Sequence, residues 1–137
     1  MIALSSDHAG FPLKEEIKAY LDSQGVEYTD CGAYDTDSVD YPYQAKKACD
    51  LVVSGKCEKA ILCCGTGIGI SIAANKIKGI RCALCNDVYS AKKCREHNDA
   101  NVLAMGGRVI GVGPAEGVCA GPGDRDILKI EFIREDV

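Results

Sequence analysis

Residues 59–76 read KAILCCGTGIGISIAANK, and this stretch decides the fold. Its first six residues are mostly apolar, which is typical of a β-strand that is covered on both faces. A turn with three alternate glycines follows, and the run from Ile70 to Lys76 predicts a short helix. A buried strand, a glycine turn and a helix in this order indicate an α/β sheet with parallel strands.

The rest of the chain alternates short apolar runs with longer segments of helical periodicity. The apolar runs predict strands at Ile2–Ser5, Val26–Cys31, Lys59–Cys64, Arg81–Cys85 and Val102–Met105. The periodic segments predict helices at Pro12–Ser23, Tyr43–Ser54, Ile70–Lys76 and Val88–Glu96. We therefore expect one domain over residues 1–137, a three-layer, doubly wound, Rossmann-like α/β fold with five mainly parallel strands. Ligands bind to such sheets at the carboxyl ends of the strands.

The 137 residues are 47% hydrophobic and 26% charged, which excludes a disordered chain and favours a soluble protein over a membrane protein. The net charge of −4 argues against a broad nucleic-acid-binding surface. The nine cysteines are odd in number, and the N-terminus has neither the basic region nor the apolar run of a signal peptide. We expect a cytoplasmic protein with reduced and mostly buried thiols.

The loop after the third predicted strand, residues 64–69, is the most informative candidate site. Its glycines allow backbone amides to converge on an anion or oxyanion. Ile70 replaces the third glycine of a dinucleotide fingerprint and no P-loop lysine occurs before Lys76, so the spacing favours a small substrate over a nucleotide. Cys64 lies at the helix N-terminus, which favours a thiolate, but its local sequence fits a core cysteine equally well. Cys63 should face the opposite side of the sheet.

Other loops contribute further candidates. Asp7 and His8 follow the first strand, and Asp7 lies too early to cap a helix that begins at the following proline, which favours a functional role. His97 and Asn98 end a helix, where a C-cap with Asn98 in the left-handed position is the simpler interpretation. Arg108 follows the last strand and is a candidate ligand for a phosphate or carboxylate.

Two metal-like patterns are interpreted as structural. The pair Cys82 and Cys85 has the spacing of half a zinc site, but no second pair follows, and strand alternation directs the two thiols to opposite faces. Asp35, Asp37 and Asp40 lack the ligand spacing of a calcium loop, which favours a solvated loop.

Five motifs taken together resemble those of type B ribose-5-phosphate isomerases, a family that also includes galactose-6-phosphate and allose-6-phosphate isomerases. The resemblance covers residues 1 to about 113 in register, and the third and fifth motifs are highly specific together. The motifs are SDHAG at 6–10, DYP at 40–42, CGTGIGISIAANK at 64–76, YSA at 89–91 and HNDANVL at 97–103.

The resemblance implies an aldose–ketose isomerase that uses no metal and no organic cofactor. It makes Cys64 the base that moves a proton between C2 and C1 of the sugar through an enediolate, and His97 the acid–base group that opens the sugar ring. Backbone amides of residues 64–69, the glycine loop, would stabilise the oxyanion. The implied substrate-binding residues are Asp7, His8, Tyr41, Gly65, Thr66, Gly67, Ile68, Gly69, Asn98 and Arg108, the last at the phosphate.

The resemblance also implies a homodimer, alone or paired into a tetramer. The segment with His97, Asn98 and Arg108 would come from the partner of the chain that supplies Cys64. The implied substrate is a small sugar phosphate, with ribose 5-phosphate as the first choice and a six-carbon or less usual sugar phosphate as the alternative. An inactive sugar-phosphate-binding protein and a thiol redox sensor are alternatives from other classes.

Residues 114–137 depart from the family pattern. Family members continue into a long helix and a Glu-Phe-x-Gly-Gly-Arg-His segment whose arginines bind the substrate phosphate. Here the glycines and Pro122 are expected to break that helix, and the two glycines do not follow Phe132. Arg125 and Arg134 are the only arginines of this segment, and neither matches a family position. This departure motivates the alternative of a binding protein without activity.

Overall fold

A computed structural model of the chain describes residues 1–120, which alternate strands and helices without exception. Strand β3 and helix α4 have the predicted bounds. Each end of the other predicted elements lies within two residues of its predicted position. The elements are β1 (Ile2–Ser6), α1 (Phe11–Ser23), β2 (Tyr28–Asp30), α2 (Tyr41–Val53), β3 (Lys59–Cys64), α3 (Ile68–Asn75), β4 (Cys82–Leu84), α4 (Val88–Glu96), β5 (Val102–Gly106) and α5 (Val112–Ala120).

The five strands form one sheet with the order β2-β1-β3-β5-β4, and all four pairings are parallel. The central strand β3 pairs with β1 on one side and with β5 on the other, which explains its continuous apolar sequence. The edge strands β2 and β4 have three residues each, shorter than predicted, because each has a strand neighbour on one side only. The predicted α/β fold is confirmed.

Helices cover both faces of the sheet and give two separate cores. Helices α1, α4 and α5 pack on the face that includes Cys63, whereas α2 and α3 pack on the face that includes Cys64. This alternation confirms that the two neighbouring thiols point in opposite directions. The helices that follow β1 and β3 lie on opposite faces, so a crevice opens between the carboxyl ends of these two adjacent strands.

The start of the C-terminal segment is helical, which corrects the expectation that glycines break it. Helix α5 runs from Val112 to Ala120 and includes Pro114 in its first turn, where a missing N–H costs no intrahelical hydrogen bond. A Cβ at Gly117 would lie 3.1 Å from Cγ2 of Val88, so this glycine lets α5 approach α4 closely. Pro122, Arg125 and Arg134 lie outside the described residues. Within residues 1–120, no helix has the length and apolar character that crossing a membrane requires.

Candidate active site

Two loops meet at the carboxyl edge of the sheet, one after β1 and one after β3. Gly10 packs so tightly on the end of β3 that a Cβ there would overlap the carbonyl of Cys63 and lie 2.7 Å from the backbone nitrogen of Cys64. A Cβ at Gly65 would lie 3.6 Å from the Cβ of Ala9. The crevice between β1 and β3 therefore brings the Asp7–Gly10 and Gly65–Gly67 loops together, as the parallel topology predicts.

Cys64 is the last residue of β3 and lies at the edge of this crevice. The residue is 4% exposed, and its Sγ accepts a hydrogen bond from the backbone N–H of Gly67, with an N···S distance of 3.1 Å. Gly67 has a φ of +82° and is the N-cap of α3, a backbone conformation that glycine adopts without steric cost. This hydrogen bond at a helix N-terminus distinguishes Cys64 from a cysteine that only packs in the core.

Other cysteines lie in less polar surroundings. Burial raises the pKa of Cys63 well above its usual value, with the neighbouring thiols of Cys119 and Cys64 adding to the effect. Burial also raises the pKa of Cys49 to about 12 and that of Cys82 to about 12. These three thiols are therefore protonated at neutral pH, as expected for core cysteines.

The glycine loop uses part of its own polar groups internally. The backbone N–H of Ile68 donates to Oγ1 of Thr66 at 3.1 Å, and that of Gly67 donates to Cys64. The N–H of Ile68 is thus engaged within the loop, which differs from the expectation that it faces a substrate. Gly69 lies in the first turn of α3, where a backbone N–H has no intrahelical acceptor, so its amide fits the expected role better.

Arg108 lies beside the glycine loop of its own chain. Its backbone N–H donates to the carbonyl of Gly65 at 3.0 Å, and the N–H of Gly107 donates to the carbonyl of Cys64 at 2.8 Å. A Cβ at Gly65 would lie 3.9 Å from Nη1 of Arg108. This placement corrects the expectation that Arg108 comes from a partner chain, because the turn after β5 folds directly against the turn after β3.

His8 and Asp7 lie on the other side of the crevice. Nδ1 of His8 accepts a hydrogen bond from the backbone N–H of Val39 at 3.2 Å, so a neutral His8 carries its proton on Nε2. Oδ1 of Asp7 accepts from the N–H of Gly10 at 2.9 Å. Asp7 is 7% exposed and closes the turn before α1. Gly10 is the N-cap of α1 and no side chain caps this helix, so the expectation that Asp7 lies too early to be the cap is confirmed.

Tyr41 contacts the glycine loop from the start of α2. A Cβ at Gly69 would lie 2.8 Å from Cζ of Tyr41, so the ring covers this glycine directly. Tyr41 is 41% exposed. Its role as a substrate-binding residue stays a prediction.

His97 and Asn98 lie at the opposite, amino edge of the sheet. Helix α4 runs antiparallel to the strands, and the N–H of His97 closes its last turn by donating to the carbonyl of Lys93 at 2.8 Å. Both side chains are exposed, and the length of β5, on the order of 15 Å, separates this edge from Cys64. Asp99, with a φ of 52°, takes the left-handed position that was expected for Asn98. One chain therefore does not bring His97 and Cys64 together.

The buried side chain of Lys14 is hydrogen-bonded to the start of the loop that leads to Val39. Nζ of Lys14 donates to Oδ1 of Asp30 at 2.6 Å and to the carbonyl of Ala33, and Lys14 is 1% exposed. Burial of the Asp30 carboxyl opposes its ionisation, but hydrogen bonds from Lys14, Gly32 and Lys18 outweigh it and lower the pKa of Asp30. Sequence patterning did not identify this cluster, because a lysine on a helix is normally solvated.

The side chain of Asn86 holds the end of strand β5. Oδ1 of Asn86, in the loop after β4, accepts from the backbone N–H of Gly106 at 3.0 Å. The only sequence signal for Asn86 is its position at the carboxyl end of a strand.

The described residues contain no group of three or more histidine, cysteine, aspartate or glutamate side chains arranged to hold a metal ion. Cys82 and Cys85 pack in different cores.

The sequence of residues 2–120 matches the family model described as ribose/galactose isomerase. The chain belongs to this family. It is 50% identical over 111 residues to ribose-5-phosphate isomerase B of Escherichia coli (strain K12), covering 81% of this chain and 74% of that protein. It is 48% identical over 110 residues to 4-deoxy-4-sulfo-D-erythrose isomerase of Clostridium sp. (strain MSTE9), covering 80% and 69%.

Two further comparisons agree with the family assignment. Galactose-6-phosphate isomerase subunit LacB of Clostridium acetobutylicum is 42% identical over 118 residues, covering 86% of this chain and 68% of that protein. The structure of ribose-5-phosphate isomerase B of Clostridium thermocellum superposes with a TM-score of 0.84 at 50% identity, covering 85% of this chain and 79% of that one. The resemblance seen in the motifs is confirmed, and the chain is an enzyme of a sugar-phosphate aldose–ketose isomerase family.

Proposed function

We propose that this isomerase interconverts ribose 5-phosphate and ribulose 5-phosphate, with Cys64 as the proton-transfer base. The observation that carries this proposal is the hydrogen bond from the N–H of Gly67 to Sγ of Cys64, beside the crevice between the carboxyl ends of β1 and β3. A base next to backbone amides is the combination that enolisation requires, because a proton beside a carbonyl is only weakly acidic.

The proposed reaction has two proton transfers at carbon and one between the two oxygens. The Cys64 thiolate removes the proton from C2 of the open-chain aldose, and the electron pair of that bond forms the C1–C2 double bond while negative charge moves to O1. The thiol then returns the proton to C1, and the proton of the C2 hydroxyl passes to O1, so that C2 becomes the ketone carbon and C1 carries the hydroxyl. The amide of Gly69 and the other amides of the loop stabilise the intermediate charge, and Thr66 holds a sugar hydroxyl.

The phosphate is proposed to bind on the side of the crevice where Arg108 lies against Gly65. A guanidinium presents paired N–H donors that match phosphate oxygens, and Nε2–H of His8 adds a donor from the β1 loop. The hydrogen bond that Nδ1 of His8 accepts from the N–H of Val39 holds the imidazole ring in place. The Nε2–H of a neutral His8 therefore points away from the loop that contains Val39. Asp7 contributes by shaping this loop through its bond to Gly10.

We further propose a homodimer, alone or paired into a tetramer, in which the second chain supplies His97 and Asn98. His97 would open the furanose ring by acid–base catalysis. The support is that His97 lies at the far edge from Cys64 of its own chain, whereas apolar side chains around the glycine loop are exposed. These side chains are Ile68 at 51%, Ile72 at 55% and Leu84 at 38% exposure.

The decisive experiment is an isomerase assay on ribose 5-phosphate with wild type, Cys64→Ala and Cys63→Ala. We expect Cys64→Ala to lose at least about 10³-fold in kcat while it still binds substrate in calorimetry, because the proton acceptor is gone. The control Cys63→Ala removes the neighbouring thiol on the other face and should lower only thermal stability. Full activity in Cys64→Ala would exclude Cys64 as the base.

A six-carbon sugar phosphate is the second candidate substrate, and the similarity to a galactose-6-phosphate isomerase subunit supports it. Catalytic efficiencies on ribose, allose and galactose phosphates distinguish the candidates. Ribose 5-phosphate should have the highest kcat/KM; a higher value for another sugar would refute the substrate assignment. Binding of ribose 5-phosphate without turnover of any of the three would indicate a binding protein.

A further inference from the structure

The glycine loop rests on the end of strand β5. Gly106 pairs with Cys64 in the sheet, and a Cβ at Gly106 would lie 2.8 Å from Cα of Thr66. A Cβ at Gly67 would lie 2.9 Å from the carbonyl carbon of Met105 and 3.1 Å from the nitrogen of Gly106. The Thr66–Gly67 backbone therefore lies flat on the Met105–Gly106 peptide, so a shift of that peptide moves the loop.

Asn86 holds this peptide from the side of the edge strand. The β4–β5 ladder pairs Leu84 with Ala104, and the N–H of Cys85 donates to the carbonyl of Ala104 at 3.0 Å. Beyond this point β4 has ended, and Oδ1 of the half-buried Asn86 side chain accepts the N–H of Gly106 at 3.0 Å. A side-chain oxygen thus takes the place of the next ladder carbonyl and extends the sheet under the loop.

The Met105–Gly106 peptide is linked to the Cys64 thiol through the backbone of Gly67. The N–H of Gly67, whose backbone packs on Gly106, donates to Sγ of Cys64, and the N–H of Gly107 donates to the carbonyl of Cys64. A displaced Gly106 would therefore change the direction of the Gly67 N–H relative to the sulfur. Catalytic groups lose activity steeply with such displacement, by as much as about 10²-fold for 1 Å.

We infer that Asn86 is a positioning residue, which fixes Gly106 and through it the amide of Gly67 that faces the Cys64 thiol. This inference rests on the proposed role of Cys64 as the base. Asn86 acts through the loop and does not touch the substrate. Its removal should consequently slow proton transfer and leave substrate binding almost unchanged.

The test combines steady-state kinetics with amide hydrogen exchange in Asn86→Ala. We expect kcat on ribose 5-phosphate to fall about 10-fold with KM within twofold of wild type, and the amides of residues 65–70 to exchange at least about 10-fold faster. Asn86→Asp keeps an oxygen that accepts the N–H of Gly106, so the exchange protection of residues 65–70 should return to near the wild-type level.

Asn101→Ala is the matched control for hydrogen exchange. Oδ1 of Asn101 accepts the backbone N–H of Arg81 at 2.8 Å, a similar bond at the amino edge, so its loss should leave exchange at residues 65–70 unchanged. Wild-type kcat and wild-type exchange in Asn86→Ala would overturn the inference, as would equal loosening in Asn101→Ala. If wild type isomerises no sugar phosphate, the proposed function fails by itself, and the exchange comparison still decides the role of Asn86.

Discussion

The carboxyl and amino edges of the sheet differ in how they hold their candidate catalytic residues. At the carboxyl edge, Cys64 is 4% exposed and the loop around it is held by hydrogen bonds to Gly67, Gly107 and Arg108. At the amino edge, His97 is exposed at the end of a helix. One chain therefore holds the proposed base in a well-connected loop and exposes the proposed acid–base histidine at the other edge, as the proposed dimer requires.

Mixing two inactive variants gives the largest expected effect. Cys64→Ala and His97→Ala homodimers should each lose about 10²-fold or more in kcat, because one lacks the base and the other lacks the ring-opening group. In a dimer with one chain of each kind, one of the two sites combines both native edges. Co-expressed chains with different affinity tags, purified as the mixed dimer, should regain about half of the wild-type activity per dimer.

A parental level of activity in the purified mixed dimer would contradict the shared site. The control is a mixed dimer in which one chain carries both substitutions and the other is wild type. In that dimer each site keeps only one of the two residues, so it should stay inactive. Substitutions that act within single chains would give the opposite result, since the wild-type chain would then retain its own complete site.

Alanine at Gly67 and at Gly79 tests the difference in rigidity between the two edges. Both glycines have positive φ, +82° and +90° respectively. At Gly67 a Cβ would also meet the backbone of Met105 at 2.9 Å, whereas at Gly79 the nearest atom would be 3.9 Å away. We expect Gly67→Ala to cost about 3 kcal/mol of unfolding free energy and Gly79→Ala about 1 kcal/mol, measured by denaturant unfolding.

Activity separates these two glycine variants further. Gly67→Ala should also lower kcat, because its N–H faces the Cys64 thiol, and Gly79→Ala should retain kcat. Equal costs in the two variants would show that the carboxyl-edge loop is no more constrained than a surface turn.

Replacing the carboxylates of Asp30 and Asp99 by amides should have the smallest effect of these tests, on stability alone. The pKa of Asp30 is lowered, so its ionised form stabilises the fold above its unfolded-state pKa near 3.8, and this contribution is lost as the pH falls through the folded-state pKa. Asp30→Asn should cost about 2 kcal/mol at pH 7, since Lys14 is buried against it, and the difference from wild type should shrink below about pH 4.

Asp99→Asn is the control at the amino edge. Asp99 lies 3.7 Å from Arg95 with its side chain 35% exposed, and asparagine tolerates its left-handed backbone, so the cost should stay below about 1 kcal/mol. Melting temperatures from pH 2 to pH 7 measure both variants. A difference between Asp30→Asn and wild type that does not change with pH would contradict the ionic contribution of Asp30.

Some parts of the site could be predicted from sequence because their signals are local. The apolar run before Cys64, the glycines after it and the strand alternation that separates Cys63 from Cys64 are all visible in 59–76. Helix α3 begins two residues before its predicted start, because the glycines at 67 and 69 are unusual in a first helical turn. Helix α5 has no clear sequence signal, because Gly113 and Gly117 lower its helix propensity.

Other features depend on contacts between distant segments, which a local pattern does not reveal. The buried Lys14–Asp30 pair joins residues sixteen positions apart. The family resemblance predicts that Arg108 comes from a partner chain, whereas the turn after β5 packs on Gly65 of the same chain. Asn86 carried no sequence signal beyond its place after a strand.

Periodicity and short motifs predict the α/β class, the five strands and the family, because these properties follow from which side chains each segment can bury. They also mark Cys64 as a candidate catalytic thiol. The folded chain alone shows which residues share an edge of the sheet. Parallel strands collect their carboxyl ends in one place, so Cys64, His8 and Arg108 meet there, and the antiparallel direction of α4 carries His97 to the other edge.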